Sequence, residues 1–207
     1  YTALIAFLIV IIIGPIFIPM LRKFKFGQTV RDDGPQTHLA KNGTPTMGGI
    51  IMIVAILITG LTRVKVSHDM AVGLICIAGF GFIGFLDDFI KIKLKRSLGL
   101  KAYQKIILQV ALSFYVAFYQ YTSSSSASQL MIPFTDFVIN VGILYIPIMM
   151  FIIVAIVNAV NLTDGLDGLA SGVTLIVSVF FMLFASSIAG NTEVAVLAAA
   201  TVGACLG

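Results

Sequence analysis

Tryptophan is absent from this 207-residue sequence, and charge is scarce. Only 11% of residues are Asp, Glu, Lys or Arg, against about 25% in an ordinary soluble domain. With 59% apolar residues and a mean hydropathy of +1.07, that shortage excludes a water-soluble globular enzyme and points to an integral membrane protein. Cysteine is nearly missing too. Cys76 and Cys205 each lie inside an apolar run, which suits small core hydrophobes better than a disulfide framework or a thiolate metal site. The ten-residue alternation of a transmembrane barrel is not seen, so the apolar runs are read as helices. The first run, 2–20, has neither a basic flank before it nor a cleavage-like site after it. It is read as a retained span, not a signal peptide. Finally, no Lys or Arg follows Lys105.

Six stretches, about 1–21, 47–62, 70–86, 105–121, 142–160 and 169–189, approach the roughly 17–25 residues that cross a bilayer as a helix. A seventh begins near Val194 and reaches Gly207. The expectation is an all-α, polytopic transmembrane bundle forming a single domain over 1–207 and truncated at its C-terminal end. Pro15, Pro19 and Pro147 fall within spans, where kinks are tolerated. Loop 122–140 opens with the flexible TSSSSAS and continues QLMIPFTDFVIN. The latter is expected to form a short β-hairpin in which Pro133 cannot sit at a strand centre.

The basic residues orient the spans. Arg22, Lys23, Lys25, Arg31 and Lys41 fall in one loop, and Lys91, Lys93, Lys95, Arg96, Lys101 and Lys105 in another on the same side. Arg63 and Lys65 lie between the two loops, so eleven of the 13 basic residues share one face, read as cytoplasmic. Asp32, Asp33, Asp87, Asp88, Asp164 and Asp167 join them; Asp69, Asp136 and Glu193 fall outside. Topology and lipid attraction account for a basic excess. They do not account for acids gathered with it.

Three stretches carry candidate chemistry. FLDDFIKIKLKR, 85–96, places Asp87 and Asp88 side by side, with Lys91 four and three residues on. One such acid is explained by a helix-end ion pair; two at a membrane edge, where unneeded charge is costly, suit a divalent cation or a metal ligand beside a base. KNGTPTMGG, 41–49, combines glycines that permit close backbone approach with Thr44, Thr46 and the free N–H groups of a helix start. An ordinary Thr-capped loop reads equally well. NAVNLTDGLDGLA, 158–170, spaces Asn158, Asn161, Asp164 and Asp167 three apart. If the helix continues they form one inclined row; if it breaks at Gly165 or Gly168 the acids line a loop with exposed N–H groups. His38 suits a phosphate contact or a plain loop residue, and His68 carries no assigned chemistry.

Carboxylates with cations at one membrane face are what Mg²⁺-dependent phosphoryl transfer requires. Two other classes compete: an ion or solute transporter, since intramembrane acids mark ion paths, and a non-catalytic membrane scaffold. The acids cluster at an interface, not the midplane, and no broken helices pair across two halves, which disfavours transport.

Taken together, RDDGPQTHLAKNGTPTMGG, FLDDFIKI and NAVNLTDGLDGLA resemble, in this order, the signatures of the phospho-N-acetylmuramoyl-pentapeptide transferase family. That family is a branch of the polyprenyl-phosphate N-acetylhexosamine-1-phosphate transferase superfamily, and the resemblance runs from about residue 22 onward. It implies a ten-helix bacterial cytoplasmic-membrane enzyme, typically homodimeric, with its site in a cytoplasmic cleft. The implied reaction moves phospho-MurNAc-pentapeptide from UDP-MurNAc-pentapeptide to undecaprenyl phosphate, with Mg²⁺ as cofactor, giving lipid I and UMP. Membrane lipids surround it, and no nucleic-acid partner is implied. By this resemblance Asp87 and Asp88 match the essential acid pair. Lys41, Thr46, Lys91, Lys105 and Asn158 match substrate contacts. Asp164, Gly165, Leu166 and Asp167 match the nucleoside region. Asn161, with Asp88, matches a metal or pyrophosphate contact. The family's third essential aspartate and its histidine-rich motif fall outside these 207 residues. A related sugar-1-phosphate transferase of the same superfamily is the neighbouring alternative.

Overall fold

The computed structural model describes residues 1–23, 47–94, 98–123, 128–132, 135 and 137–207. Among them are seven α-helices: α1 (Thr2–Lys23), α2 (Gly49–Arg63), α3 (His68–Leu94), α4 (Ala102–Ser123), α5 (Tyr145–Thr163), α6 (Leu169–Ser187) and α7 (Thr192–Leu206). The all-α expectation holds, and so does the hairpin: β1 (Gln129–Met131) pairs antiparallel with β2 (Val138–Asn140), Leu130 opposite Ile139. Pro133 lies outside the described residues.

Every stretch expected to span forms a helix, but the helices are not alike. Four are long and apolar enough to cross a membrane: α1, α3, α5 with its 3₁₀ lead-in (Gly142–Thr163), and α6. Helix α2 has 15 residues, about 22 Å at 1.5 Å per residue, short of a hydrocarbon core of about 30 Å; α7 runs from Thr192 to Leu206. The 22-residue α4 is long enough, yet Gln104, Lys105, Gln109 and Ser113 interrupt its apolar surface. Pro147 enters in the first turn of α5, where its missing N–H leaves no helical bond unmade.

The chain divides into two compact units, Tyr1–Lys101 with Leu166–Gly207, and Ala102–Gly165. In the first, α7 packs on α1, α2, α3 and α6. Its core joins Ala6 and Val10 of α1, Ile51, Ala55 and Ile56 of α2, and Ala200 and Ala204 of α7. Small side chains at these positions let backbones approach, the usual means of helix association where lipid removes a hydrophobic drive. The closest approach is at Gly203, where a Cβ would run into the Ala3 carbonyl. Gly203→Ala is therefore expected to push α1 off α7 and destabilise the unit by about 1–3 kcal/mol, as overpacking does. Thermal unfolding in detergent would register this as a lowered Tm. An unchanged Tm would show that α1 and α7 adjust freely.

At one end of this unit Ser67 joins two helix starts. Its hydroxyl accepts the Met70 N–H, capping α3, and donates to Glu193 Oε2 at 2.7 Å in the first turn of α7. In the second unit α4 packs on α5, and the Tyr121 and Tyr145 rings stack at 6.4 Å.

Candidate active site

The acid pair lies two turns before the end of α3. No proline or β-branched cluster interrupts GFIGFLDDFIKIKL, so the helix carries Asp87, Asp88 and Lys91 in fixed register. Phe82, Phe85 and Phe89 stack along it at 6.2 and 5.8 Å. The Lys91 ammonium reaches both acids, at 2.7 Å from Asp87 Oδ2 and 2.9 Å from Asp88 Oδ1. A helix-end ion pair thus takes up both carboxylates, not one, and the cluster of two acids and one ammonium keeps a formal charge of −1. Lys91, expected as a substrate contact, is engaged by the acids.

The two acids are not equivalent. Asp87 Oδ1 accepts the Leu100 N–H at 2.8 Å, and the chain after α3 folds back so closely that a Cβ on Gly99 would collide with the Asp87 carboxylate and carbonyl. The Asp87 side chain is 15% exposed, the Asp88 side chain 37%. One acid is therefore held from three sides by its own chain, and its neighbour presents a carboxylate outward. Gly99 and Leu100 were not legible as site residues. A glycine in a loop gives no signal of what it packs against, and Leu100 acts through its backbone.

The polar row at 158–167 is cut in two. Helix α5 ends at Thr163, and Asp164 takes φ −77°, ψ 51° outside it. The chain turns through 164–168, with Gly165 N–H on Thr163 O, Leu169 N–H on Leu166 O, and Gly168 at φ +80° before α6 begins. The loop alternative is the one adopted. Asp164, Gly165, Leu166 and Asp167 are all exposed on it, and Leu166 is 63% exposed. Asn158 and Asn161 stay on the helix and serve the second unit. Lys105 Nζ donates to Asn161 Oδ1 at 2.9 Å, and Asn158 Nδ2 donates to Gln109 Oε1 at 2.8 Å. Lys105 and Asn161 are thus brought together as a pair. Asn158, expected to meet substrate, is part-buried between helices. Its partner Gln109 was missed, although a polar amide four residues from Lys105 and four from Ser113 is a readable stripe.

Lys41 and Thr46 lie outside the described residues. The KNGTPTMGG motif enters them only at Met47, which is buried with φ +71°, a conformation that costs a side-chain-bearing residue roughly 1–2 kcal/mol. Its carbonyl accepts the Ile50 N–H as α2 starts, and among the described residues no side chain caps that helix.

Among the described residues no three His, Cys, Asp or Glu side chains gather as a ready-made metal cage. Mg²⁺ usually keeps several waters and takes one or two carboxylates together with substrate phosphates. Asp88 has the right donor and the exposure for that role. The Asn161 carbonyl oxygen already accepts from an ammonium, an arrangement better matched to an anion than to a second cation.

The model of Glycosyl transferase family 4 matches residues 70–207, two thirds of the chain. The chain belongs to glycosyl transferase family 4. Phospho-N-acetylmuramoyl-pentapeptide-transferase signature 1 also matches residues 41–53. Among relatives of this family-4 chain, the phospho-N-acetylmuramoyl-pentapeptide-transferase of Desulfitobacterium hafniense is 46% identical, covering 99% of this chain and 65% of that protein. Its counterpart in Caldicellulosiruptor bescii is 48% identical over 99% of this chain and 63% of its own length. In Alkaliphilus metalliredigens the figures are 50%, 100% and 66%. The chain spans just under two thirds of the length of these relatives. The acid pair, the 164–168 loop and the Lys105–Asn161 pair all fall within the matched family-4 region.

Proposed function

We propose that the protein transfers phospho-MurNAc-pentapeptide from UDP-MurNAc-pentapeptide to undecaprenyl phosphate at the cytoplasmic face of a bacterial membrane, forming lipid I and UMP. The observation that carries this reading is the asymmetric acid pair, Asp87 pinned and Asp88 exposed, in a chain whose relatives bear this transferase name. A homodimer is part of the same proposal.

The lipid phosphate is a monoester with a second pKa of about 6, already mostly dianionic at neutral pH. Its oxygen attacks the β-phosphorus of the UDP-sugar. The bond from that phosphorus to the bridging oxygen breaks, and UMP leaves with the oxygen. A strong base is unnecessary; alignment and charge neutralisation are the demands. Asp88 would hold Mg²⁺, with Asp87 fixing Lys91 beside it. When bound, the metal draws charge from the phosphate oxygens. The ammonium of Lys105, steadied by Asn161, would meet pyrophosphate oxygens. The 164–168 loop would hold the nucleoside through its carboxylates and the backbone of Gly165 and Leu166.

The test uses full-length protein in detergent, undecaprenyl phosphate and fluorescent UDP-MurNAc-pentapeptide. A lipid-linked fluorescent product and an equal yield of UMP are expected. EDTA should abolish both and added Mg²⁺ restore them. Failure to form the lipid product in Mg²⁺, with UDP-N-acetylhexosamine accepted instead, would move the protein to a neighbouring transferase. Isolation of a phosphosugar–enzyme adduct without lipid would replace direct attack by a covalent aspartyl route.

A further inference from the structure

We propose that Gln109 is a positioning residue. Through Asn158 it sets the register of α4 against α5, and so holds Lys105 on Asn161. This rests on the transferase reading for its functional half.

The two helices run antiparallel, and their polar groups meet in sequence. Lys105, Gln109 and Ser113 recur every four residues on α4, one face of a helix. Asn158 and Asn161 are three apart on α5. Lys105 meets Asn161 at 2.9 Å and Gln109 meets Asn158 at 2.8 Å, so each step along one helix matches a step back along the other. The inner pair is fixed tightly. Asn158 Nδ2 also donates to the Val154 carbonyl at 2.8 Å, which sets the amide's plane. Ser113 Oγ donates to the Gln109 carbonyl at 2.6 Å and is itself fully buried.

Gln109 is 1% exposed, and its Nε2 has no acceptor among the described residues. A buried amide with an orphaned donor is a poor choice for stability, because unmatched desolvation opposes folding. Two leucines would fill the same space with no orphan. What an amide pair supplies and leucines do not is one allowed register, as a buried polar residue does in a coiled coil. The outer pair depends on that register. A slip of one residue along α5 turns Asn161 by about 100° and takes its carbonyl off Lys105. The Tyr121–Tyr145 stack lies toward the far end of α4.

The experiment has two arms in the full-length protein, with every native cysteine, Cys76 and Cys205 among them, replaced by Ala. In the first, Lys105→Cys with Asn161→Cys reports register by the rate of disulfide formation, whatever reaction the protein performs. Adding Gln109→Leu and Asn158→Leu is expected to slow cross-linking at least fivefold while Tm stays level or rises. In the second, Gln109→Leu/Asn158→Leu with Lys105 and Asn161 intact is assayed for transfer. The KM for the nucleotide-linked substrate should rise about fivefold or more. The swap Gln109→Asn/Asn158→Gln should recover most of that rise. A merely structural role would lower the active fraction and leave KM alone. Unchanged cross-linking overturns the proposal, and so does slowed cross-linking with an unchanged KM. A full-length parent protein inactive in the transfer assay defeats the proposed reaction instead, and the cross-linking arm then decides the register claim alone.

Discussion

Asp88→Asn is expected to lower transfer by more than about 100-fold, the usual loss when a key electrostatic stabiliser is removed from an active site. The substitution keeps shape and removes charge. Lys91 retains Asp87 as a partner at 2.7 Å, so the helix end stays in place and Tm should move by no more than a few degrees. The effect should appear in single-turnover experiments, where product release does not intervene. Asp87→Asn is the instructive contrast. Its oxygen can still accept the Leu100 N–H, but the charge assistance on that bond and on Lys91 is gone. Activity and thermal stability should fall together. Near-wild-type turnover in Asp88→Asn would defeat the assignment of the pair and revive a scaffold.

Gly99→Ala carries the next largest expectation. An added methyl meets the Asp87 carboxylate and its backbone carbonyl, neither of which can move without disturbing the last turns of α3. Overpacking of this kind costs about 1–3 kcal/mol. Here the strain falls on the acid that steadies Lys91. Transfer should drop by one to two orders of magnitude, as small displacements of positioned groups do. The loss should persist at saturating substrate and metal. Full activity in Gly99→Ala would mean that the loop swings away during catalysis and that the Leu100 contact is dispensable.

Much of this architecture was legible in the residues. Apolar run length marked every helix, while the glycines at 165 and 168 allowed, without deciding, a break after α5. The acid pair announced itself by its charge cost. What was not legible was mutual engagement. Sequence spacing allowed Lys91 one acid; the rotamer reaches two. Asn158 looked like a substrate contact because it shares a spacing with Asn161, yet one turn deeper on α5 it faces Gln109, which sits 49 residues away in the chain. The inequivalence of Asp87 and Asp88 depends on a backbone N–H thirteen residues on, and a backbone group leaves no mark in a sequence. Nor do local rules report whether α4 is apolar enough to span, since two of its polar residues, Lys105 and Gln109, bond to a partner helix.

The contact of Gly203 with Ala3 also bears on how the chain is made. The face of α1 that carries Ala6 and Val10 is covered by α7, at Ala200 and Ala204, roughly 200 residues later. At a synthesis rate of about 5–20 residues per second, α1 waits on the order of 10–40 s for that partner. During this interval its small-residue groove is open to lipid, to the insertion machinery, or to the α1 of a neighbouring nascent chain. Helix α1 is thus locked on this face only after α7 has been made.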